Sequence, residues 1–234
     1  MGIFWGTIVN AIAIMVGGAL GLKLPVLPKG IRTTVMQGMG LVLIILGMQM
    51  AIKTEQILLL VGSLVAGGMI GEWIGIEARL EQLGRALEKR FGRDGGTPFV
   101  AGFVPTTLIY CVGAMAILGS IDGGVRQDHA ILYTKSMLDG FSAIIFASTL
   151  GVGVLFSAFP VFLYQGLIAL CAALFASQLD PTQLAVTIRE MSAVGGALII
   201  GIGINILEIK TIRVGNLLPS IAIAAVLAWV LHIA

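Results

Sequence analysis

The sequence predicts an all-α membrane protein, a polytopic bundle of about eight helical spans. Three observations carry this. Only 11% of the residues are charged and 58% are hydrophobic, against about 25% charged in a soluble domain, so the chain lacks the polar surface to face water. The mean hydropathy is +1.04. The apolar runs are continuous and do not alternate with period two, which selects helices over a β-barrel. A span takes about 20 apolar residues, and 234 residues divide into some eight such runs with short loops. A net charge of +2 leaves no footprint for a nucleic-acid partner. The lipid bilayer is the expected surrounding, and the positive residues are topology signals.

Taken in order, the runs fall at 3–22, 31–52, 56–76, 98–119, 134–156, 160–178, 187–207 and 216–233. The first has no Lys or Arg ahead of it and Lys23 behind it, the reverse of a secretory leader, and is read as a span. Its Gly17 and Gly21, like Gly67, Gly71 and Gly75 of the third run, lie four apart, the spacing that lets membrane helices approach closely. Packing within the chain is the commoner use of such stripes, and a homodimer seam is the alternative. Between the third and fourth runs, EARLEQLGRALEKRFGRDGG sets Ile76, Leu80, Leu83, Leu87 and Phe91 at helical spacing with charges opposite. That pattern is an amphipathic connector on the membrane surface, residues 77–97, ended by Gly95 and Gly96.

The fourth run contains Pro105, which removes a backbone hydrogen bond at depth. After it, Ser120, Asp122, Gly123 and Gly124 are expected to form a tight turn, Asp128 to cap the helix entering the fifth run, and His129 to lie at the surface. Cys111 and Cys171 both fall within runs and are read as buried thiols packing as small apolar groups, with no disulfide framework.

Orientation follows from the basic residues. With the N-terminus outside, inner loops hold Lys23, Lys29, Arg32, Arg79, Arg85, Lys89, Arg90, Arg93, Lys210 and Arg213, and outer segments hold Lys53, Arg126, Lys135 and Arg189. This bias puts both termini outside. The chain is one membrane domain, 1–234, with internal similarity. IRTTVMQGMGLVLIILG of the second run resembles YTKSMLDGFSAIIFAST of the fifth, which sets Gln37 and Gly38 on Asp139 and Gly140. MVGGALG falls on CVGAMAI, Asn10 on Thr106, and Gly62 near Gly166. Residues 1–76 then form a first repeat, 98–178 a second, and 179–234 two further spans. Three spans are odd in number, so the second copy is inverted, as in many secondary transporters.

The chemistry centres on Asp139. A charged side chain costs about 2.5–3.5 kcal/mol at the centre of a membrane helix by insertion scales, so an acid inside a span is a functional candidate. Lys135 stands one turn before it, at i,i+4 spacing, and Ser142, Phe146, Thr149 and Gly153 continue the face. Two readings follow: an acid at the interface that snorkels and pairs with Lys135, or an acid facing a polar site that binds a cation, a proton or a substrate donor. On the second reading Asp139 is helped by Gln37, Asn10, Thr106, Ser142, Thr149 and Asn205, and the protein moves a small solute or ion. Asp139→Asn keeps the side-chain shape and is expected to leave folding nearly unchanged. A scaffold or partner-binding subunit is the alternative, since membrane amides commonly bond between helices. The same caution applies to Glu72 beside Trp73, a pairing usual at the water boundary.

Other chemistries lack their residues. There is no GxxxxGK[ST] loop for a nucleotide. His129 and His232 lie far apart without a nearby cysteine, so no zinc site is expected. Met36, Met39, Met48 and Met50 read as flexible packing. An intramembrane enzyme is the third reading, although no nucleophile, base and acid recur together at a workable spacing, and nothing argues for a metal or a cofactor.

GTIVNAIAIMVGGALG, PFVAGFVPTTLIYCVGAMAILGSIDGG, LYTKSMLDGFSAIIFASTLGVGV and GIGINILEIKTIRVGNLLP resemble a bacterial membrane family, the YqgA/YdfK-like proteins (domain of unknown function 554), from end to end. The resemblance implies a bacterial cytoplasmic-membrane location. It supplies no activity and no site residues.

Overall fold

The computed structural model describes residues 2–24, 28–91, 99–175 and 181–231. Among them every regular element is helical: α1 Trp5–Lys23, α2 Lys29–Ala51, α3 Ile57–Ile74, α4 Ile76–Phe91, α5 Phe99–Cys111, α6 Ala114–Val125, α7 Ala130–Leu150, α8 Gly153–Phe156, α9 Ala158–Phe175, α10 Pro181–Ile206, a 3-10 turn Val214–Leu217 and α11 Pro219–Val230. Six helical segments are long and apolar enough to cross a membrane, and α5 with α6 makes a seventh if that bent pair is one span. Leu41, Val42, Ile45 and Leu46 on α2, and Leu58, Val65 and Met69 on α3, are left exposed. A helix bundle can present such faces to lipid because its backbone groups are satisfied internally.

Several sequence expectations are corrected. The fourth run, 98–119, is not one helix. It breaks at Val112 and Gly113, and its halves meet at 59°. Pro105 does not make this break, for α5 continues through it. The eighth run, 216–233, resolves into the 3-10 turn and a 12-residue α11, shorter than the usual span of about 20 residues. Ser120, Asp122, Gly123 and Gly124 do not form a turn but lie within α6. The turn comes later, where Gln127 takes φ 56°, and the glycines instead admit neighbours: a Cβ at Gly124 would collide with the Ala169 carbonyl of α9. His129 is not at the surface but only 4% exposed. Cys111 is buried as expected, whereas Cys171 is exposed. Asp128 stands one residue before the N-cap of α7, which is His129, and accepts the Ala130 N–H at 3.0 Å.

The helices cluster into two compact units that interleave along the chain: residues 1–29, 81–111 and 115–177 form the first, and 30–80, 112–114 and 178–234 the second. In the first, α1 and α7 make the most extensive pair. Their contacts run in register, Gly6 on Leu132, Gly17 on Gly140 and Gly21 on Ile144, so the two helices are parallel. The Gly17 backbone touches the Gly140 carbonyl so closely that no side chain fits there. In the second unit, α10 packs on α2, α3 and α11. Gly67 and Gly71 of α3 receive Ser220 and Asn216. Gly17, Gly21, Gly67 and Gly71 are thus covered within the chain, while Gly75 has open space at its Cβ position. Gly75, at φ 71°, ends α3 in the left-handed conformation, its N–H on the Gly71 carbonyl at 2.8 Å, the usual glycine stop. The amphipathic α4 starts at once. Its predicted terminators Gly95 and Gly96 lie outside the described residues.

Candidate functional site: a buried ion pair in the first unit

Lys135 and Asp139 sit one turn apart on α7, Asp139 meeting Asn10 of α1 and Lys135 meeting Tyr110 of α5. The Lys135 ammonium is 2.7 Å from Asp139 Oδ2, and the side chains are only 7% and 9% exposed. The acid therefore does not reach bulk water, and the snorkelling arrangement is absent. The close α1–α7 approach at Gly17 and Gly140 carries Asn10 up to the same carboxylate. Its Nδ2 donates to Asp139 Oδ2 at 3.1 Å and also lies 3.3 Å from Gln165 Oε1 of α9. Asn10 and Gln165 are fully buried. From α5, the Tyr110 ring lies under the ammonium, 5.9 Å from Nζ to centroid, within cation–π range. The Ser142 hydroxyl lies 3.3 Å from the Tyr110 hydroxyl and 3.0 Å from the Asp139 carbonyl, with one proton to share between them.

Charge and hydrogen bonding are only partly closed here. The pair is neutral overall, which is what allows it to stay buried. Yet Asn10 Oδ1, Gln165 Nε2, Thr7 Oγ1 and Thr107 Oγ1 are buried and have no hydrogen-bond partner among the described residues. Buried polar groups are nearly always satisfied. Asn10 and Gln165 thus carry an unpaired acceptor and an unpaired donor on two touching amides.

Of the residues singled out in the sequence, Asp139, Asn10 and Ser142 come together. Thr106 is buried on α5, one turn from Tyr110, but donates to its own helix at the Gly102 carbonyl, 2.6 Å away. Thr149 is buried and donates to Ile145 and Phe146 carbonyls, about 15 Å along α7 from Asp139 at the usual helical rise. Gln37 is exposed on α2 and Asn205 clamps the Ile212 backbone with bonds of 2.8 and 2.7 Å; both belong to the second unit. Sequence reasoning missed Gln165 and Tyr110. Gln165, a lone amide in FPVFLYQGLIAL, carried the same signal as Asn10. Tyr110 carried none, since an aromatic in an apolar run reads as packing.

The second unit has polar groups at two places. Arg189 pairs with Glu55 at 2.7 Å and with the fully buried Glu190 at 3.2 Å, and the Thr54 hydroxyl donates to Glu190. Elsewhere Glu72 pairs with Arg213 and accepts from Asn216 at 2.6 Å, while Asn216 Oδ1 accepts the Glu77 N–H at 2.7 Å and Glu77 accepts that of Gly215 at 2.5 Å. Glu72 is exposed and Trp73 is 89% exposed, as at a water boundary. Among the described residues no group of three His, Cys, Asp or Glu side chains is placed to hold a metal ion.

Fold and site define a polytopic α-helical membrane protein with a buried polar centre. The chain belongs to the family described as Protein of unknown function (DUF554), whose model matches residues 5–229. It is 33% identical over 236 residues to the uncharacterized membrane protein YdfK of Bacillus subtilis, covering 97% of each chain. It is 32% identical over 234 residues to the uncharacterized protein YqgA of Escherichia coli, covering 96% of this chain and 97% of that one. No solved structure gives a significant match.

Proposed function

We propose that this chain is a transporter of a small solute or ion in the bacterial cytoplasmic membrane, and that the Lys135–Asp139 pair with Asn10, Gln165, Tyr110 and Ser142 is its binding centre. One observation carries the reading: a charged pair buried within α7 borders amide atoms with unfilled hydrogen bonds. Intramembrane ionisable groups commonly mark substrate or ion pathways. The expected inverted repeat fits the same reading, since such repeats are common in transporters. A homodimer also remains part of it, through faces other than the two glycine stripes; light scattering of the detergent-solubilised protein measures its mass.

The test is flux into proteoliposomes, with rubidium, methylammonium, glycine and glycerol as probes. At least one should enter faster than into empty vesicles. The double variant Lys135→Met/Asp139→Leu removes both charges, a change that is often neutral or stabilising for a buried pair. It should fold and lose that flux. Equal flux in the double variant would move the pathway elsewhere. A static scaffold is the second reading, favoured by the neutralisation of Asp139 within the chain. It predicts no flux for any probe and an unchanged fold in the double variant.

A further inference from the structure

We infer that the guest of this centre is a small monovalent cation of the alkylammonium type, and that Lys135 is a tethered competitor occupying its place. The inference rests on the proposed site and names what it takes. The Lys135 ammonium is held by a carboxylate oxygen at 2.7 Å and stands 5.9 Å over the Tyr110 ring. An anionic oxygen and an aromatic face are what a primary ammonium seeks. Next to them the Asn10 Oδ1 acceptor, fully buried, has no partner among the described residues. It is free to take an N–H from a guest that displaces the lysine.

Charge dictates the rest. With an external cation on Asp139, a charged Lys135 would be a second cation in the same apolar pocket. The guest and the Lys135 ammonium therefore exclude each other at the carboxylate, and the lysine head leaves as the guest enters. The neighbours offer no alternative charge. Asn10 and Thr7 come from α1, Tyr110 and Cys111 from α5, Tyr164 and Gln165 from α9, and α8 carries no titratable group. On α6 the one acid, Asp122, is engaged with Arg126 at 3.5 Å. His129, heading α7, faces Gly6 and Gly123.

The experiment is equilibrium binding of radiolabelled methylammonium to the purified protein in detergent, because methylammonium reproduces the tip of the lysine side chain. Wild type should bind saturably. Lys135→Met removes the competitor and should bind at least tenfold tighter at pH 6. Lys135→Arg keeps the pair, and its guanidinium can hold the carboxylate through two parallel hydrogen bonds that a single ammonium does not match, so binding should fall at least tenfold while the fold is retained. Asp139→Asn should bind none. Wild-type affinity in Lys135→Arg, or no saturable binding to wild type, overturns the inference. Should Lys135→Met not fold, wild type against Lys135→Arg decides alone. Flux of rubidium, glycine or glycerol that needs the pair, without methylammonium binding, would leave the transport reading standing and remove only the ammonium guest.

Discussion

Lys135 and Asp139 each owe their burial to the other, and this changes what single substitutions do. Sequence alone makes Asp139→Asn close to neutral for folding, because shape is kept. In the structure the change strands a buried lysine, and breaking a buried pair costs about 3–5 kcal/mol. Asp139→Asn and Lys135→Met are each expected to lower the unfolding midpoint clearly, whereas Lys135→Met/Asp139→Leu should return near to wild type. Thermal unfolding in detergent micelles checks this, and simple addition of the two single losses in the double variant would show that the residues do not interact. Asp139, Asn10 and Ser142 were legible because a polar group in an apolar run is costly and needs a reason. Lys135 was visible only as a partner. The pair is covered by Tyr110 against the ammonium and by Asn10, backed by Gln165, against the carboxylate, a long-range arrangement from three other helices that no local pattern encodes. His129 was misread for the same reason: a loop residue becomes buried only when Gly6 and Gly123 come up against it.

At the scale of elements, apolar runs gave most helices to within a few residues, since lipid imposes both their length and their continuity. What escaped was how each run is interrupted. The break at Val112 and Gly113 carries no proline, and the proline that is present lies inside α5. Glycine-rich runs hid packing in the same way, because GSIDGG reads as a turn although it is a helix face pressed on α7 and α9. The α1–α7 contact is where this matters to the site, for it delivers Asn10 to Asp139. Gly17→Ala puts a methyl group into the Gly140 carbonyl, and overpacking costs about 1–3 kcal/mol. Gly38 on α2 has open space around its Cβ position, so Gly38→Ala should be neutral or stabilising by up to about 1 kcal/mol through the helix preference of alanine. Unfolding midpoints of the two variants should separate in that order. A Gly17→Ala protein as stable as Gly38→Ala would mean the helices are not in this contact.

For the whole molecule, helix directions constrain the path through the membrane. α1 and α7 are parallel, as their glycine contacts require. α3 and α10 are parallel as well, because Glu55 and Arg189 meet at their beginnings and Glu72 and Arg213 at or beyond their ends. Parallel helices in one membrane are separated by an odd number of crossings. Between α1 and α7 lie α2, α3 and the bent α5–α6 pair; between α3 and α10 lie that pair, α7 and α9. Both counts are odd only if the bent pair crosses as one span. The basic α4 is expected inside, so α3 should run from outside to inside, and its 18 residues rise about 27 Å, close to the hydrocarbon thickness of about 30 Å. Lys53 and Arg79, both exposed, should therefore lie on opposite faces. On a Cys111→Ala/Cys171→Ala background, Lys53→Cys should react with a membrane-impermeant maleimide on intact cells, and Arg79→Cys only after permeabilisation. The opposite pattern would invert the protein and the sense of any coupled flux. Labelling of both from outside would mean that α3 does not cross, and the parity argument for the bent pair would fall with it.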